Sequence, residues 1–436
     1  MFKQKLSRVH LPHNKNTAAM APVAIEPVKE VLIPMSMHSG NPSVPVVKVG
    51  DHVYVGTLIA EAGEGTSVPC HSSVSGTVTK IDAYPFGRGD AITIESDGKM
   101  EADPSLHAHD AADLDEFLNV VKDSGIVGLG GAAYPLWGKL SAAKKAKIDT
   151  FLVNGAECEP YLTGDTRTML DDAHYIKSGI ELLKKYIGST RFVIGIEANK
   201  PEAIANLKEV FKDDSQVEIK VLESLYPQGA KQVLLYNATG KVQAPGTRLA
   251  ELGVLIINVT SLAKMAKYFE TGMPLVDRVV TVDGTACANP QNLICPVGTP
   301  VSYILEKAGT KEDLAKVIIG GPMMGKALAD LNEPIVKASG GVIAFNEKES
   351  RIYEPTPCIH CGKCVDACPL RLNPTAFAKA MDLDGDEVRL EILKAEQVSL
   401  CMQCGCCSYV CPAHRPLVQT NVAAMSFVRK NRAPRA

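Results

Sequence analysis

No apolar run in this chain approaches the roughly 18 to 20 residues that a membrane-spanning helix needs. The best, Val254-Leu-Ile-Ile-Asn-Val259, has the length of a strand, so the chain is expected to cross no membrane by itself. A basic excess is missing too. With 46 Lys and Arg against 49 Asp and Glu, a formal charge of −3, the phosphate-neutralising surface of a nucleic-acid binder is not there. Met1 to Val9 is charged but has no apolar h-region and no small-residue cleavage site. That speaks against a secretory signal and for the cytoplasm. Nothing suggests disorder, since 46% of residues are hydrophobic, 22% are charged and the mean hydropathy is +0.03. At 436 residues the chain is too long for one ordinary core, and a prior of roughly 100 to 200 residues per domain gives about three or four. The basic residues Arg429, Lys430, Arg432 and Arg435 read as a solvated terminal face, with anionic lipid or an acidic partner as the alternative.

What is present in quantity is cysteine. Thirteen of them in a reducing compartment argue against a disulfide scaffold and for metal or redox chemistry, because thiols there stay free as ligands. Eight fall into two copies of one spacing, Cys358-x2-Cys361-x2-Cys364-x3-Cys368-Pro369 and Cys401-x2-Cys404-x2-Cys407-x3-Cys411-Pro412. This internal repeat is the general run of bacterial two-cluster ferredoxins, in which the fourth cysteine of each run ligates the other 4Fe-4S cluster. Three thiolates at this spacing wrap a short loop around one face of a cubane, and the cysteine before proline leads away to the neighbouring site. Cys358, Cys361, Cys364 and Cys411 are therefore assigned to one cluster, and Cys401, Cys404, Cys407 and Cys368 to the other. Paired structural zinc sites are the alternative reading of Cys-x2-Cys steps. Cys406, beside Cys407, breaks no spacing and reads as a non-ligand. Cys70, Cys158, Cys287 and Cys295 show no ligand spacing and read as small buried residues.

Between residues 44 and 81, short apolar stretches punctuated by Gly50-Asp51, Gly56, Gly63 and Gly76 predict a small all-β unit of hairpins. It resembles the barrel-sandwich fold of biotinyl and lipoyl carrier domains. Pro69-Cys-His-Ser-Ser73 offers no lysine for a swinging arm, so its role is structural. Asp113-Leu-Asp-Glu116 then opens a helix with Leu114, Phe117, Leu118 and Val121 on one face, ended by Gly125. The loop Gly125 to Pro135 superficially fits G-x-G-x-x-A, but the dinucleotide fingerprint needs a strand before it, and here a capped helix precedes. What remains is a run free of bulky side chains whose backbone N-H groups can approach a phosphate. Phe151-Leu-Val-Asn154, Arg191 to Ile196 and Val217 to Leu222 read as strands alternating with a helix from Pro201, hence a mostly parallel sheet with its ligands at strand C-terminal ends. Asn154-Gly-Ala-Glu157-Cys-Glu159-Pro160 sits at such an end, and a solvated acidic turn is the bland alternative. Arg278 to Gly284, Gly298 to Leu305 and Lys316 to Gly321 read as strand, helix, strand, and Gly340-Gly341 through Pro357 as a linker.

These segments together resemble the C subunit of the Rnf ion-translocating electron transport complex and, through it, the NADH-binding flavoprotein subunit of complex I. The resemblance rests on His10-Leu-Pro-His-Asn-Lys15, Gly128-Leu-Gly-Gly-Ala-Ala-Tyr-Pro135 with Lys139, and Asn154 to Pro160. It extends to Tyr226-Pro-Gln-Gly229, Asn258-Val-Thr260, a β-grasp segment after Pro274 and the ferredoxin repeat. It implies FMN at Gly128, Gly130, Gly131, Lys139, Asn154, Glu157, Asn258 and Thr260. It further implies that Tyr134 stacks on the nicotinamide and that Glu159 and Gly229 line the nucleotide cleft. The relative's "N-A-D-E" aspartate is Ala156 here, its "G-E-E" is Gly229-Ala230-Lys231, Ala133 replaces a loop glycine and Tyr134 a phenylalanine.

The expected architecture is multidomain α/β and α+β. An N-terminal region with the barrel-sandwich unit occupies 1–100, a Rossmann-like flavin and NADH domain 101–270, and a β-grasp (SLBB) domain 271–345. A bacterial two-cluster ferredoxin domain follows at 346–420 and a basic tail at 421–436. The expected function is electron input from NADH through FMN to two 4Fe-4S clusters. From there electrons pass to other Rnf subunits and ferredoxin, on the cytoplasmic side of a membrane complex whose partners translocate ions. The alternatives are a soluble Rnf-like flavoprotein feeding another reductase and a flavin-free iron-sulfur relay. Part order disfavours the cobalamin-serving version of the first, because the barrel-sandwich unit here precedes the glycine loop.

Overall fold

A computed structural model of the chain describes Leu6 and residues 9–431. The basic residues Arg432 and Arg435, and Met1 to Lys5 of the N-terminal segment, lie outside the described residues.

The all-β unit forms as the hairpin spacing predicts. Strand Gly76–Ala83 pairs antiparallel with Asp90–Ser96, which pairs on its other side with Glu30–Pro34. A second, smaller sheet of Val44–Pro45, Leu58–Glu61 and Cys70–His71 faces it. Alternate side chains point inward, so Val31, Ile33, Ile59, Val78, Ile92 and Ile94 are all fully buried between the two sheets. Each such side chain contributes about 1.5–3 kcal/mol on leaving water.

Helix Leu114–Asp123 starts at Asp113, whose carboxylate accepts from the backbone N-H of Asp115 and Glu116, and buries Phe117, Leu118 and Val121. It leads to a four-stranded, wholly parallel sheet in the order Val217–Leu222, Arg191–Glu197, Thr150–Gly155, Val254–Asn258. Both faces are covered, as parallel sheets require. Phe151, Val153, Phe192, Ile194 and Ile257 pack against helices Ala173–Ile187 and Val259–Thr271. Leu152, Val193 and Ile256 pack on the opposite side against helix Lys231–Thr239. The C-terminal strand ends, at Asn154 and Asn258, are thereby left as the open edge of the domain.

The next unit differs from the sequence reading in two places. Gln291–Pro296 is a further strand, antiparallel to Asp277–Asp283, hidden in the sequence by the prolines that bracket it. Gly341–Asn346 is no linker but a central strand of a six-stranded sheet, parallel to Asp277–Asp283 and antiparallel to Leu314–Ile319. Five of its six residues are buried, so it shows no alternation, and the preceding glycine disguises its start. Lys337, from the same unit, is fully buried and donates to the carbonyls of Pro69 and Gly125 at 2.8 Å each. One ammonium thus ties together the barrel-sandwich unit, the parallel-sheet domain and the six-stranded sheet.

The cysteine-rich segment folds around Leu372, Phe377, Leu393, Val398, Ala424 and Val428. Its longer helices are Pro374–Met381, Asp386–Ala395 and Leu417–Lys430, the first capped by Asn373 with proline at its first position. Among the described residues no helix is long and apolar enough to cross a membrane.

Candidate functional site

At the C-terminal strand ends lies a cleft of about 630 Å³, inside the roughly 300–1,000 Å³ range of cofactor and ligand sites. Of the residues expected there, Gly130, Gly131, Asn154, Glu157, Glu159, Gly229, Asn258 and Thr260 line it. Gly128, Tyr134 and Lys139 stand behind that wall. Gly128 pins the glycine loop, donating to Tyr134 O at 2.8 Å and accepting from Ala133 N at 3.1 Å. The Tyr134 ring is exposed and sits close to Gly138. Lys139, on helix Leu136–Leu140, is half-buried.

The acidic turn is built on a left-handed residue, Glu157 at φ 47°. Its carboxylate caps helix Gly164–Asp171, accepting from Asp165 N at 2.6 Å and Thr166 Oγ1 at 2.5 Å. Asn154 spans the cleft floor, donating to Gly229 O at 3.0 Å. Asp165, which the sequence reading missed, accepts from Asn258 Nδ2 at 2.8 Å and Thr260 Oγ1 at 2.6 Å. Burial and the Glu157 carboxylate push its carboxyl up to about 6. Asn258 also caps the helix that follows it, accepting from Ser261 N at 3.1 Å.

Glu159 enters from the same turn and leans on Gly321, where any side chain would stand 2.4 Å from its Oε2. Oε2 accepts from Met323 N at 3.0 Å, whereas the buried Oε1 has no hydrogen-bond partner. Burial raises this carboxyl to about 7. The buried Tyr226 hydroxyl lies beside it and donates to Cys404 O at 2.8 Å, joining the cleft to the cysteine-rich segment.

Two further cations line the cleft, of which the sequence singles out only Lys231, as a departure from the relative's motif. Arg278 comes from the six-stranded sheet and is buried against the glycine loop, donating to Leu129 O and Ser339 O at 3.3 Å each. An arginine in a strand reads as an exposed residue, so no local pattern announces it. Lys231 lines the cleft at a helix start, and burial together with this neighbour draws the Lys139 ammonium down to about 8. Neighbouring ammonium groups and a glycine backbone wall suit an anionic, polar, planar group such as FMN. The residues present therefore fit that cofactor.

The eight repeat cysteines fall into two cavities. Cys368, Cys401, Cys404 and Cys407 line one, and Cys358, Cys361, Cys364 and Cys411 the other. These are the two sets that cross-ligation predicts. The repeat extends to the backbone. His360 and Gln403 are left-handed at φ 57° and 59°, Gly362 and Gly405 at 76° and 79°, and Arg371 and His414 at 59° and 50°. Such turns aim amide groups at sulfur, as in His360 N to Cys358 Sγ at 3.4 Å and Leu372 N to Cys368 Sγ at 3.3 Å. Asn421 adds its amide to Cys401 and Cys407 at 3.7 and 3.8 Å. N-H···S bonds of this kind favour thiolate ligands and tune cluster potential. Met402, between two cysteines of the first set, also lines the cleft. That set is therefore proximal to the cleft and the other distal. Of the remaining cysteines, Cys70, Cys287 and Cys295 are buried as expected, while Cys158 lines the cleft and accepts from Gly229 N at 3.3 Å.

Three segments of the chain match known families. Residues 6–99 match the RnfC barrel sandwich hybrid domain, 121–267 the Nuo51 FMN-binding domain and 354–415 a 4Fe-4S dicluster domain. The last match favours iron-sulfur over structural zinc. Among solved structures, an NAD+-reducing [NiFe]-hydrogenase in the air-oxidized state shares the fold over 73% of this chain and 62% of its own, with a TM-score of 0.51 at 17% identity. The C subunit of the Na+-translocating ferredoxin:NAD+ oxidoreductase complex of Acetobacterium woodii is 38% identical over 379 residues, 85% of this chain and 86% of that one. The C subunit of the proton-translocating complex of Clostridium ljungdahlii is 37% identical over 386 residues, 87% and 84% of the two chains. With this likeness along most of its length, and with its cleft and cysteine cavities in place, the chain belongs to the RnfC family, the C subunits of Rnf complexes.

Proposed function

We propose that this chain is the NADH-oxidising electron-input subunit of an Rnf-type NADH:ferredoxin oxidoreductase, peripheral on the cytoplasmic side of a membrane complex whose other subunits translocate ions. The observation that carries this reading is the shared wall. Met402 and the Tyr226 to Cys404 hydrogen bond put the flavin cleft directly against one four-thiol cavity. FMN supplies the conversion of a two-electron hydride into single electrons for two 4Fe-4S clusters. The glycine loop, Asn154, Asn258 and Thr260 hold the flavin, and Lys139, Lys231 and Arg278 favour its negative charge. Glu159 and Gly229 line the nucleotide side, and Tyr134 is assigned to the nicotinamide by the resemblance alone. Rossmann-like and β-grasp (SLBB) descriptions suit the parallel-sheet domain and the six-stranded sheet. Anaerobic purification with metal, sulfide and flavin analysis, followed by NADH titration at the flavin and cluster absorption bands, tests the reading. About eight irons, one FMN and bleaching by NADH are expected; clusters without flavin or NADH response would leave only the relay alternative.

The raised Glu159 carboxyl makes a second prediction. Its folded value of about 7 lies above the ordinary 4.5. Its contribution to stability is therefore fully present below the ordinary value and lost as pH rises through about 7. The same ionisation places a carboxylate opposite an anionic dinucleotide, so KM for NADH should climb several-fold across this window. In Glu159→Gln the inflection should vanish; an unchanged profile in that variant would assign the titration to another group.

A further inference from the structure

The stretch His10 to Lys15 lines neither the cleft nor either cysteine cavity, yet it packs behind the cleft turns and the proximal cysteine loop. Val9 and Tyr226 exchange both backbone hydrogen bonds, at 3.3 and 2.9 Å, and His13 O accepts from Tyr161 N at 3.0 Å. Val9 and Leu11 pack with Tyr226, Ala367, Cys404 and Cys406. The arm therefore straps the turn at 225–229, the acidic turn at 157–162 and the proximal cysteine loop together.

Its one cation here is Lys15. The ammonium donates to the carbonyls of Glu157 at 2.8 Å, Glu159 at 2.8 Å and Leu162 at 2.5 Å. All three of its N-H donors are used on one turn. That turn has two left-handed non-glycine residues, Glu157 at φ 47° and Tyr161 at 69°, a conformation that L-residues avoid. Three carbonyls turned toward one point repel each other unless a donor sits among them, and Lys200 Nζ holds only the preceding carbonyl, Ala156 O, at 2.7 Å. The outer side of the same turn presents Glu159 to the cleft, pressed against Gly321.

We propose that Lys15 is a positioning residue of the nucleotide cleft: by gathering the three carbonyls of the 157–162 turn it sets the direction from which Glu159 meets the bound nucleotide. The role rests on the NADH reading of the cleft. It is served from a segment more than a hundred positions upstream, which touches neither cofactor nor substrate.

Lys15→Met in the full chain keeps the length and removes the donors. Iron and FMN should stay at wild-type levels, and kcat for NADH with an artificial one-electron acceptor should stay within about threefold. KM for NADH should rise about tenfold to a hundredfold, since small misplacements of a binding group cost that much. Lys15→Gln, which retains two N-H donors, should fall between. A merely structural lysine would change cofactor content or thermal stability and leave the KM of the intact fraction alone. Unchanged KM in the flavin-bearing Met variant overturns the proposal. If that variant purifies without flavin, the Gln variant decides in the same way, and loss of flavin there too assigns Lys15 to folding instead. A wild-type protein whose flavin ignores NADH overturns the dehydrogenase reading and this role with it; a responding wild type beside an unresponsive variant KM overturns only the role of Lys15.

Discussion

Cys404→Ala is expected to leave NADH-dependent bleaching of the flavin intact while reduction of ferredoxin falls to background. Cys404 lines the cavity that shares Met402 with the cleft, and its carbonyl accepts from Tyr226. Removing one of four thiolates from that set should lower iron from about eight to about four per chain. The distal set, Cys358, Cys361, Cys364 and Cys411, lines a separate cavity and should keep its iron. Cys361→Ala is the control with the opposite pattern: Cys361 is exposed and distal, so flavin and proximal-cluster bands should both still respond to NADH. A Cys361-set cluster still reduced by NADH in Cys404→Ala, beside a Cys404-set cluster that no longer responds in Cys361→Ala, would reverse the order of the two sites. Anaerobic iron analysis and stopped-flow absorbance at the two bands decide it.

Asp165→Ala should yield a protein with its iron but almost none of its flavin. The carboxylate joins two structural elements at the cleft, accepting from Asn258 and Thr260 and facing the buried Arg278. Its removal strands two donors and a guanidinium. Each lost partner costs about 1–3 kcal/mol, and at about 1.4 kcal/mol per tenfold in affinity two lost bonds predict flavin binding weaker by roughly thirtyfold to twenty-thousandfold. Asp165→Asn keeps one acceptor oxygen and should lose less. Full flavin content in the alanine variant, measured on the anaerobically purified protein, would remove Asp165 from the site.

The two cases differ in how well the sequence announces them. The cysteines lie within short runs, and ligand spacing is a local property, so residue number alone sorts them. Strands such as Phe151 to Asn154 and Val254 to Asn258 are likewise legible, because a strand buried on both faces is a short continuous apolar run. Gly341–Asn346 meets the same description but is masked by the glycine before it, and its place in the middle of a sheet depends on partners 23 to 60 positions away. Asp165, Arg278 and Lys15 carry no local signal. Their partners lie 93, 149 and 142 positions distant in sequence, and an isolated Asp, Arg or Lys in a polar or alternating stretch looks like any solvated residue.

The repeat spacing by itself determined eight thiols in two crossed sets, and small and polar residues marked the glycine loop and the acidic turn, whereas the Asn-Val-Thr turn was marked only by the family resemblance. Tertiary structure alone decided that the parallel-sheet unit shares the cleft with the six-stranded sheet, which supplies Arg278 and Gly321, and with the cysteine-rich segment, which supplies Met402. It also decided that the set with Cys401, Cys404, Cys407 and Cys368, not the set with Cys358, Cys361, Cys364 and Cys411, abuts the cleft, through Tyr226 and Met402. The reason is physical. Ligand spacing and turn chemistry act over a few bonds, whereas domain contacts follow from which buried faces meet, and those faces are assembled from residues hundreds of positions apart.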